Sequence, residues 1–403
     1  MRAQTRRKVA ALAAVTWVMV LGNTMLFPVF PAIRAELELS GGQLAWLVAA
    51  ISLPSAGLSP LAGALSDRIG RKAVIVPSLV LYGAGGLLAA LAGWRAEAPF
   101  AWMVAGRLLQ GLGSSGPMQL TMALAGDMFQ SEERAKAVGL LETANGAGKV
   151  ASPLLGGAVG AFGWQAVFLV YPVAAGLAAA AMALLIDEPP ARAARRPASY
   201  LGAVWRAAER PAVWLTFAAG FAFIFSLIGL SFWLTEAAAP RLGWSRFQLS
   251  LAVALPMAGL ASASLTAQFV QTRLGVGAAA AAGGVLAGGA LAAVAMLPQP
   301  LHLWLAAAGL GAGVALPALN SIGVGAAGRE QRGAVTAVYG GLRSLGAALA
   351  PAGLLMLLRI HPDAPFLILG GVLAALTLLI GRRAAGWSPA GRRARGRPRR
   401  VSP

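Results

Sequence analysis

Three polar residues share one face of an otherwise apolar stretch: Glu142, Asn145 and Lys149. Their spacing of i, i+3 and i+7 aligns them on a helix. Glu142 is the one carboxylate well inside an apolar segment; the other acids fall in loops or at segment ends. Burial and a nearby cation act on such a carboxyl in opposite senses, and a group balanced between them can take up and release a proton. Glu142 and Lys149 lie about 10 Å apart along a helix axis, so Asn145 or water would have to bridge them. The same residues could instead neutralise one another for insertion and fix packing. Two further charges, Arg107 and Arg343, also sit inside apolar segments. A charge at mid-span costs ~2.5–3.5 kcal/mol on insertion scales, so each should face protein or a cavity. Arg343 reads as a third cavity charge or as the partner of Glu142. Lys149 and Arg343 together would attract anions.

These residues need long apolar helices to position them, and the composition supplies those. The chain has 403 residues, 58% hydrophobic and 12% charged, with a mean hydropathy of +0.70. A soluble domain carries about 25% charged residues, so soluble and disordered classes are excluded. Twelve apolar segments are expected, at roughly 10–33, 44–65, 73–94, 99–125, 135–160, 164–186, 212–235, 245–271, 276–297, 301–322, 332–357 and 364–381. Each is long enough to cross ~30 Å of hydrocarbon. Continuous apolar runs disfavour a β-barrel. The basic start, Arg2, Arg6, Arg7 and Lys8, precedes an apolar run too long for a signal peptide, which reads as a retained first span.

Charge gives the orientation. With the N-terminus inside, 25 of the 33 Lys and Arg fall on inside segments, 5 on outside loops and 3 within spans. That asymmetry argues for both termini in the cytoplasm, and makes nucleic-acid binding an unneeded reading of the +19 net charge. The expected organisation is a cytoplasmic N-terminus (1–9), a six-helix bundle (10–186), a central cytoplasmic linker (187–211), a second six-helix bundle (212–381) and a basic tail (382–403) against anionic lipid. The linker could hold a short amphipathic helix from Leu201 to Arg210. An internal repeat supports two halves. A shift of 198 places Arg134, Gly148 and Pro153 on Arg332, Gly346 and Pro351, and Asn145 on Arg343. A shift of about 205 places Arg68 and Gly70 on Arg273 and Gly275. Duplicated six-span units are a transporter architecture with substrate at their interface.

Four motifs carry a resemblance. The loop after the second segment holds Gly63, Asp67, Arg68, Gly70, Arg71 and Lys72. Gly63 would allow close helix approach, Gly70 a tight turn, and Asp67 could pair with an Arg or cap a helix. The segment resembles the major facilitator superfamily signature G-x-x-x-D-R-x-G-R-K at every specified position. The resemblance implies a gate that latches the halves when the protein opens outward. Thr272-Arg273-Leu274-Gly275 in the second half lacks the acid and the basic pair. Arg107, Gln110 and Gly111 resemble the family's R-x-x-Q-G, which implies proton coupling; Arg107 could instead only bind helix carbonyls. Gly139, Gly148, Ser152, Pro153, Gly156 and Gly157 resemble the antiporter motif of drug:proton exporters, G-x8-G-x3-G-P-x2-G-G, with Ser152 replacing a Gly. Those small residues would pack the fifth span on a facing helix of the second half, the eighth by expectation, and Pro153 would bend it. Leu21, Gly22, Pro28 and Pro31 resemble a further motif of twelve-span exporters.

The expected fold is therefore an all-α membrane protein of twelve helices in two pseudo-symmetric six-helix bundles, resembling this superfamily. The expected function is proton-driven export of drug-like or siderophore-like molecules from the cell membrane, by a monomer, with small-molecule substrate, protons and lipid as partners. A proton-coupled importer and a non-transporting receptor are the alternatives; the antiporter motif argues against the first and the intact loop motif against the second. No nucleophile–base–orienter cluster suggests an enzyme. There is no Walker motif, no Cys, and His302 and His361 stand far apart, so no cofactor or metal is expected.

Overall fold

The computed structural model describes residues 3–22, 24–95, 97–188, 210–297, 299–326 and 332–387. Helices α1 (Ala3–Val20), α2 (Phe30–Leu37), α3 (Gly41–Ile69), α4 (Arg71–Arg95), α5 (Pro99–Ser114), α6 (Pro117–Met128), α7 (Ser131–Val159) and α8 (Trp164–Leu185) form the first part. Helices α9 (Pro211–Trp233), α10 (Ala239–Leu242), α11 (Arg246–Leu274), α12 (Val276–Met296), α13 (Leu301–Ala326), α14 (Arg332–Ile360) and α15 (Ala364–Trp387) form the second. A π-helical turn, Leu234–Ala238, joins α9 to α10.

Among the described residues, nine helices are long and apolar enough to cross a membrane. The three expected segments outside that set fall short for two physical reasons, a break or a polar sequence. The first is broken between α1 and α2, the fourth is broken between α5 and α6, and the fifth, α7, carries Glu142, Lys149 and a charged first turn. These same three segments carry the first-span motif, Arg107 and the antiporter motif. The helix expected to end at 381 continues to Trp387. Nearly all of the linker, with its expected amphipathic helix, and the tail beyond 387 lie outside the described residues.

Local sequence explains the long helices that frame the site. Ser40 caps α3 by accepting from the Gln43 backbone N–H, and the Gln43 side chain accepts from the Ser40 N–H. Ser245 and Gln248 do the same for α11. This reciprocal box satisfies two orphan donors at each start. Both helices run 29 residues and end at a glycine with positive φ, Gly70 (102°) and Gly275 (83°). Ser40, Gln43 and Gly70 fall on Ser245, Gln248 and Gly275 at the same shift of 205, so the repeat extends to the caps.

Within the first part, α4 packs on α5 and α8, and α1 on α7 and α8; within the second, α12 packs on α13 and α15, and α9 on α14. The two parts meet mainly where α3 crosses α14 and α7 crosses α11. Large apolar side chains such as Leu177, Leu184 and Leu265 stay exposed, together with Trp46, Trp94, Trp102 and Trp214 near helix ends. An apolar belt edged by Trp is the surface that lipid solvates.

Candidate functional site

Helices α7 and α14 each pack on a helix of the opposite part, α11 and α3, and carry charges expected of the site. On α7, Asn145 Nδ2 donates to Glu142 Oε2 at 3.2 Å. The Glu142 side chain is exposed, whereas Asn145 and Lys149 are half-buried. Lys149 makes no hydrogen bond or ion pair among the described residues, as its 10 Å axial offset from Glu142 implied. Lys149 is within electrostatic reach of Arg343 and Glu142. Arg343 lies over the Tyr339 ring, 5.6 Å from its centroid. It forms no ion pair with Glu142 within 4.0 Å. The buried Arg343 Nε, Tyr339 hydroxyl and Asn145 Oδ1 have no hydrogen-bond partner among the described residues.

Arg107 stands elsewhere. It is fully buried inside the first part, where Nε donates to Leu47 O at 3.1 Å and Nη1 to Gly22 O at 3.1 Å and Gln110 Oε1 at 3.0 Å. The Tyr171 hydroxyl also donates to Gly22 O, at 2.9 Å. The expectation of Arg107 as a cavity charge is corrected. The break between α1 and α2 leaves carbonyls without helical partners, and Arg107 and Tyr171 supply them. Burial of the guanidinium is tolerated because several oxygens share its protons.

The antiporter motif divides between two neighbours. At Gly139 a side chain would meet nothing within 4 Å. Gly148 and Gly156 lie against the first span instead: a Cβ at Gly148 would sit 3.0 Å from Trp17, and one at Gly156 would overlap the Met25 carbonyl. Gly157 faces Ser250 of α11, with no room for a Cβ, and Gly146 approaches Ala261. The eighth-segment contact is thus made, but by the end of the motif only. Pro153 is buried in α7. Ser152, the departure from the motif, does more than stay small. Its hydroxyl accepts from Thr24 Oγ1 at 2.8 Å and donates to Leu21 O at 3.2 Å, tying α7 to the break in the first span.

The loop between α3 and α4 binds within its own part. Asp67 and Arg68 are exposed and make no ion pair or hydrogen bond among the described residues, and no Cβ contact within 4 Å exists at Gly63. The cap role expected of Asp67 falls to Glu188, which accepts from the Arg71 and Lys72 backbone N–H groups at 2.8 and 2.7 Å. Lys72 Nζ donates to Ala183 O and Ile186 O at the end of α8. Both placements match the helix dipole. Arg71 pairs with Asp127 at the end of α6 at 2.7 Å. Lys8 pairs with Asp187 at 2.7 Å, and its hydrogen bond holds the Asp187 carboxyl below the usual range.

The two parts are closed at the opposite end. Arg34 of α2 pairs with Glu236 of the π-helical turn at 2.7 Å, and Gly41 packs toward the same carboxylate. Thr235 Oγ1 reaches Phe27 O at 3.4 Å. Pro31, Arg34, Ala35, Thr235, Glu236 and Pro240 line a cavity of about 430 Å³ there. Sequence reasoning missed this pair, because each residue read as an ordinary span-end charge. Its available signal was one acid at the end of the seventh segment and one Arg at the same end of the first.

A charged seam between two sets of apolar helices is the arrangement of a multi-pass membrane transporter. The family model described as Major Facilitator Superfamily matches residues 12–351, and the chain belongs to that family. It is 30% identical over 357 residues, 86% of this chain and 88% of the relative, to a protein named bacillibactin exporter from Bacillus subtilis (strain 168). It is 32% identical over 153 residues to the multidrug transporter protein MdtP of the same organism, 37% of this chain and 27% of the relative. The solved structure of a D-xylose-proton symporter has a TM-score of 0.71 and 15% identity, covering 96% of this chain and 98% of that one, and shares its fold.

Proposed function

We propose that this transporter exports small organic molecules, drug-like or siderophore-like, across the cell membrane in exchange for protons, by alternating access. The three broken or polar segments join the nine apolar helices to make twelve spans in two six-helix bundles, with both termini in the cytoplasm. The protein works as a monomer. On this reading the Arg34–Glu236 end faces outside and is closed, and the Asp67 end faces the cytoplasm.

One observation carries the reading: Glu142 is hydrogen-bonded to Asn145, two turns from Lys149, on a helix that packs against the other half. Substrate enters from the cytoplasm while Glu142 is ionised. Parting of Arg34 from Glu236 opens the outer end. Protonation of Glu142 there weakens its hydrogen bond to Asn145, alters the charge of the seam and releases substrate. The exposed Asp67 and Arg68 then join the closure at the inner end. The name of the relative aligned over most of the chain supports the outward direction. The antiporter motif supports exchange over co-transport.

The test uses everted membrane vesicles with an imposed proton gradient and a panel of dyes. Substrate-dependent loss of the gradient in wild type, abolished in Glu142→Gln, is the expected result. Loss retained in the variant reduces Glu142 to a structural charge.

A further inference from the structure

The Arg34–Glu236 pair is built unevenly. Arg34 belongs to α2 of the first part and Glu236 to the π-helical turn of the second, with their charged atoms 2.7 Å apart. Glu236 is nearly enclosed, whereas Arg34 is half-exposed. The two partners therefore differ in what their loss leaves behind. Without the charge of Glu236, a neutral group occupies the enclosed position and water serves the guanidinium. Without the charge of Arg34, an enclosed carboxylate is stranded. The enclosed partner is the one that a proton can neutralise, because a guanidinium does not give up its charge in proteins. The cavity of about 430 Å³ is lined by both side chains and gives water, and with it a proton, room beside the carboxylate.

The other elements around the turn leave Arg34 as the partner of Glu236. Helix α9 carries no charged residue. At the start of α3, Gly41 lies against the carboxylate, with Leu355 of α14 beside it. Arg241 of α10, Arg246 of α11, Arg359 at the end of α14 and His361 beyond it are exposed. None of these pairs with Glu236 among the described residues. The Arg246 side chain lies along Gly160, and His361 stands 3.6 Å from Asp363. On α2, Glu36 accepts from Trp164 Nε1 and Gln165 Nε2, and Glu38, just past its end, is exposed. The second tie across this end, Thr235 Oγ1 to Phe27 O, is uncharged and does not titrate.

We infer that Glu236 is a second proton site, separate from Glu142, which takes its proton from outside and thereby unlocks the outer end. The transport reading above, on which this rests, supplies the orientation. Ionised Glu236 holds the end closed. As external pH falls the pair is lost, and the ratio of outward-open to closed protein rises by about fivefold, the worth of one half-exposed pair. The end recloses only after that proton has left to the side it came from. Glu236 thus gates without driving, and Glu142 remains the exchanged site. The gate presents Glu142 to the outside when protons are there to be taken up.

The test is a distance measured across the outer end. Phe162→Cys in the first part and Ile360→Cys in the second are well exposed at that end, and the chain has no other cysteine to label. Pulsed EPR on the spin-labelled, purified full chain is read from about pH 8 to about pH 4, across the range in which a glutamate changes charge. The ratio of long to short distances should rise about fivefold on acidification. Glu236→Gln should hold the raised ratio throughout, and Glu142→Gln should respond like its parent. Arg34→Lys, which keeps the cation, should also respond and guards against misfolding.

A ratio indifferent to pH in the parent, a Glu236→Gln protein that stays closed or still responds, or a response lost in Glu142→Gln would each overturn the inference. The expected response without substrate-driven proton exchange in vesicles would overturn only the exchange reading. Exchange with a ratio indifferent to pH would overturn only the gate at Glu236.

Discussion

The Arg34–Glu236 closure, outer on the proposed orientation, is the feature whose energy can be worked most directly. Glu236 is nearly enclosed, at 8% exposed, while Arg34 is 49% exposed, and their charged atoms lie 2.7 Å apart. In Glu236→Gln the guanidinium left behind is served by water, so the loss is the pair itself and not a stranded charge. A half-exposed pair is worth about 1 kcal/mol. At about 1.4 kcal/mol per tenfold, that shifts the equilibrium toward the outward-open state by about fivefold. The chain has no cysteine, so a single Ser250→Cys provides a reporter. Ser250 is buried against Gly157 on the closed face. Its labelling by a membrane-impermeant maleimide on intact cells should rise about fivefold in Glu236→Gln. Arg34→Gln leaves the nearly enclosed Glu236 without its partner and should open the end at least as far, and the double variant should return to the Glu236→Gln level, because both remove one interaction. Unchanged labelling in Glu236→Gln, or effects that multiply in the double variant, would refute the gate.

Further outcomes follow from the buried contacts. Arg107→Lys keeps the charge but not the fork that serves Gly22, Leu47 and Gln110. It should lower the thermal midpoint in detergent almost as much as Arg107→Gln, by the equivalent of about 2–3 kcal/mol; a wild-type midpoint in Arg107→Lys would return the residue to a pure charge role. Gly156→Ala drives a Cβ into the Met25 carbonyl and should cost about 1–3 kcal/mol in the same assay. Gly157→Ala overlaps only the Ser250 side chain, with the Arg246 carbonyl in ordinary contact, so Ser250→Gly should rescue its midpoint, whereas nothing comparable rescues Gly156→Ala. Glu188→Gln removes the anion from the start of α4 and should cost about 0.5–1 kcal/mol, seen as faster amide exchange at Arg71 and Lys72.

Much of the helix plan was legible because most spans are unbroken apolar runs, from α3 and α4 to α11, α12 and α15. The breaks in the first and fourth segments were not. A broken span survives in a bilayer only if distant groups satisfy its backbone. The partners of the first break, Arg107, Tyr171 and Ser152, come from three other segments. No local pattern announces them. The reciprocal boxes at Ser40 and Ser245 were present as S-x-x-Q and their shared shift of 205 was readable. The spacing of Glu142, Asn145 and Lys149 correctly gave one helical face, and the long offset to Lys149 gave the absence of a direct pair. The partnership of Arg34 with Glu236 spans 202 residues, and that of Glu188 with the α4 start spans over a hundred. Such pairs depend on how whole helices pack. The loop motif fixed residue types but not partners, since its Asp and first Arg stay exposed in a state closed at the other end.

The claim that most needs testing is exchange, with substrate and protons moving in opposite directions. Purified protein in liposomes, loaded with a pH-sensitive reporter and given a gradient of a dye transported in the vesicle assay but none of protons, reads the sign directly. The dye entering should drive protons out, and the lumen should become alkaline in wild type but not in Glu142→Gln. Acidification of the lumen as the dye enters would mean co-transport and would contradict the account.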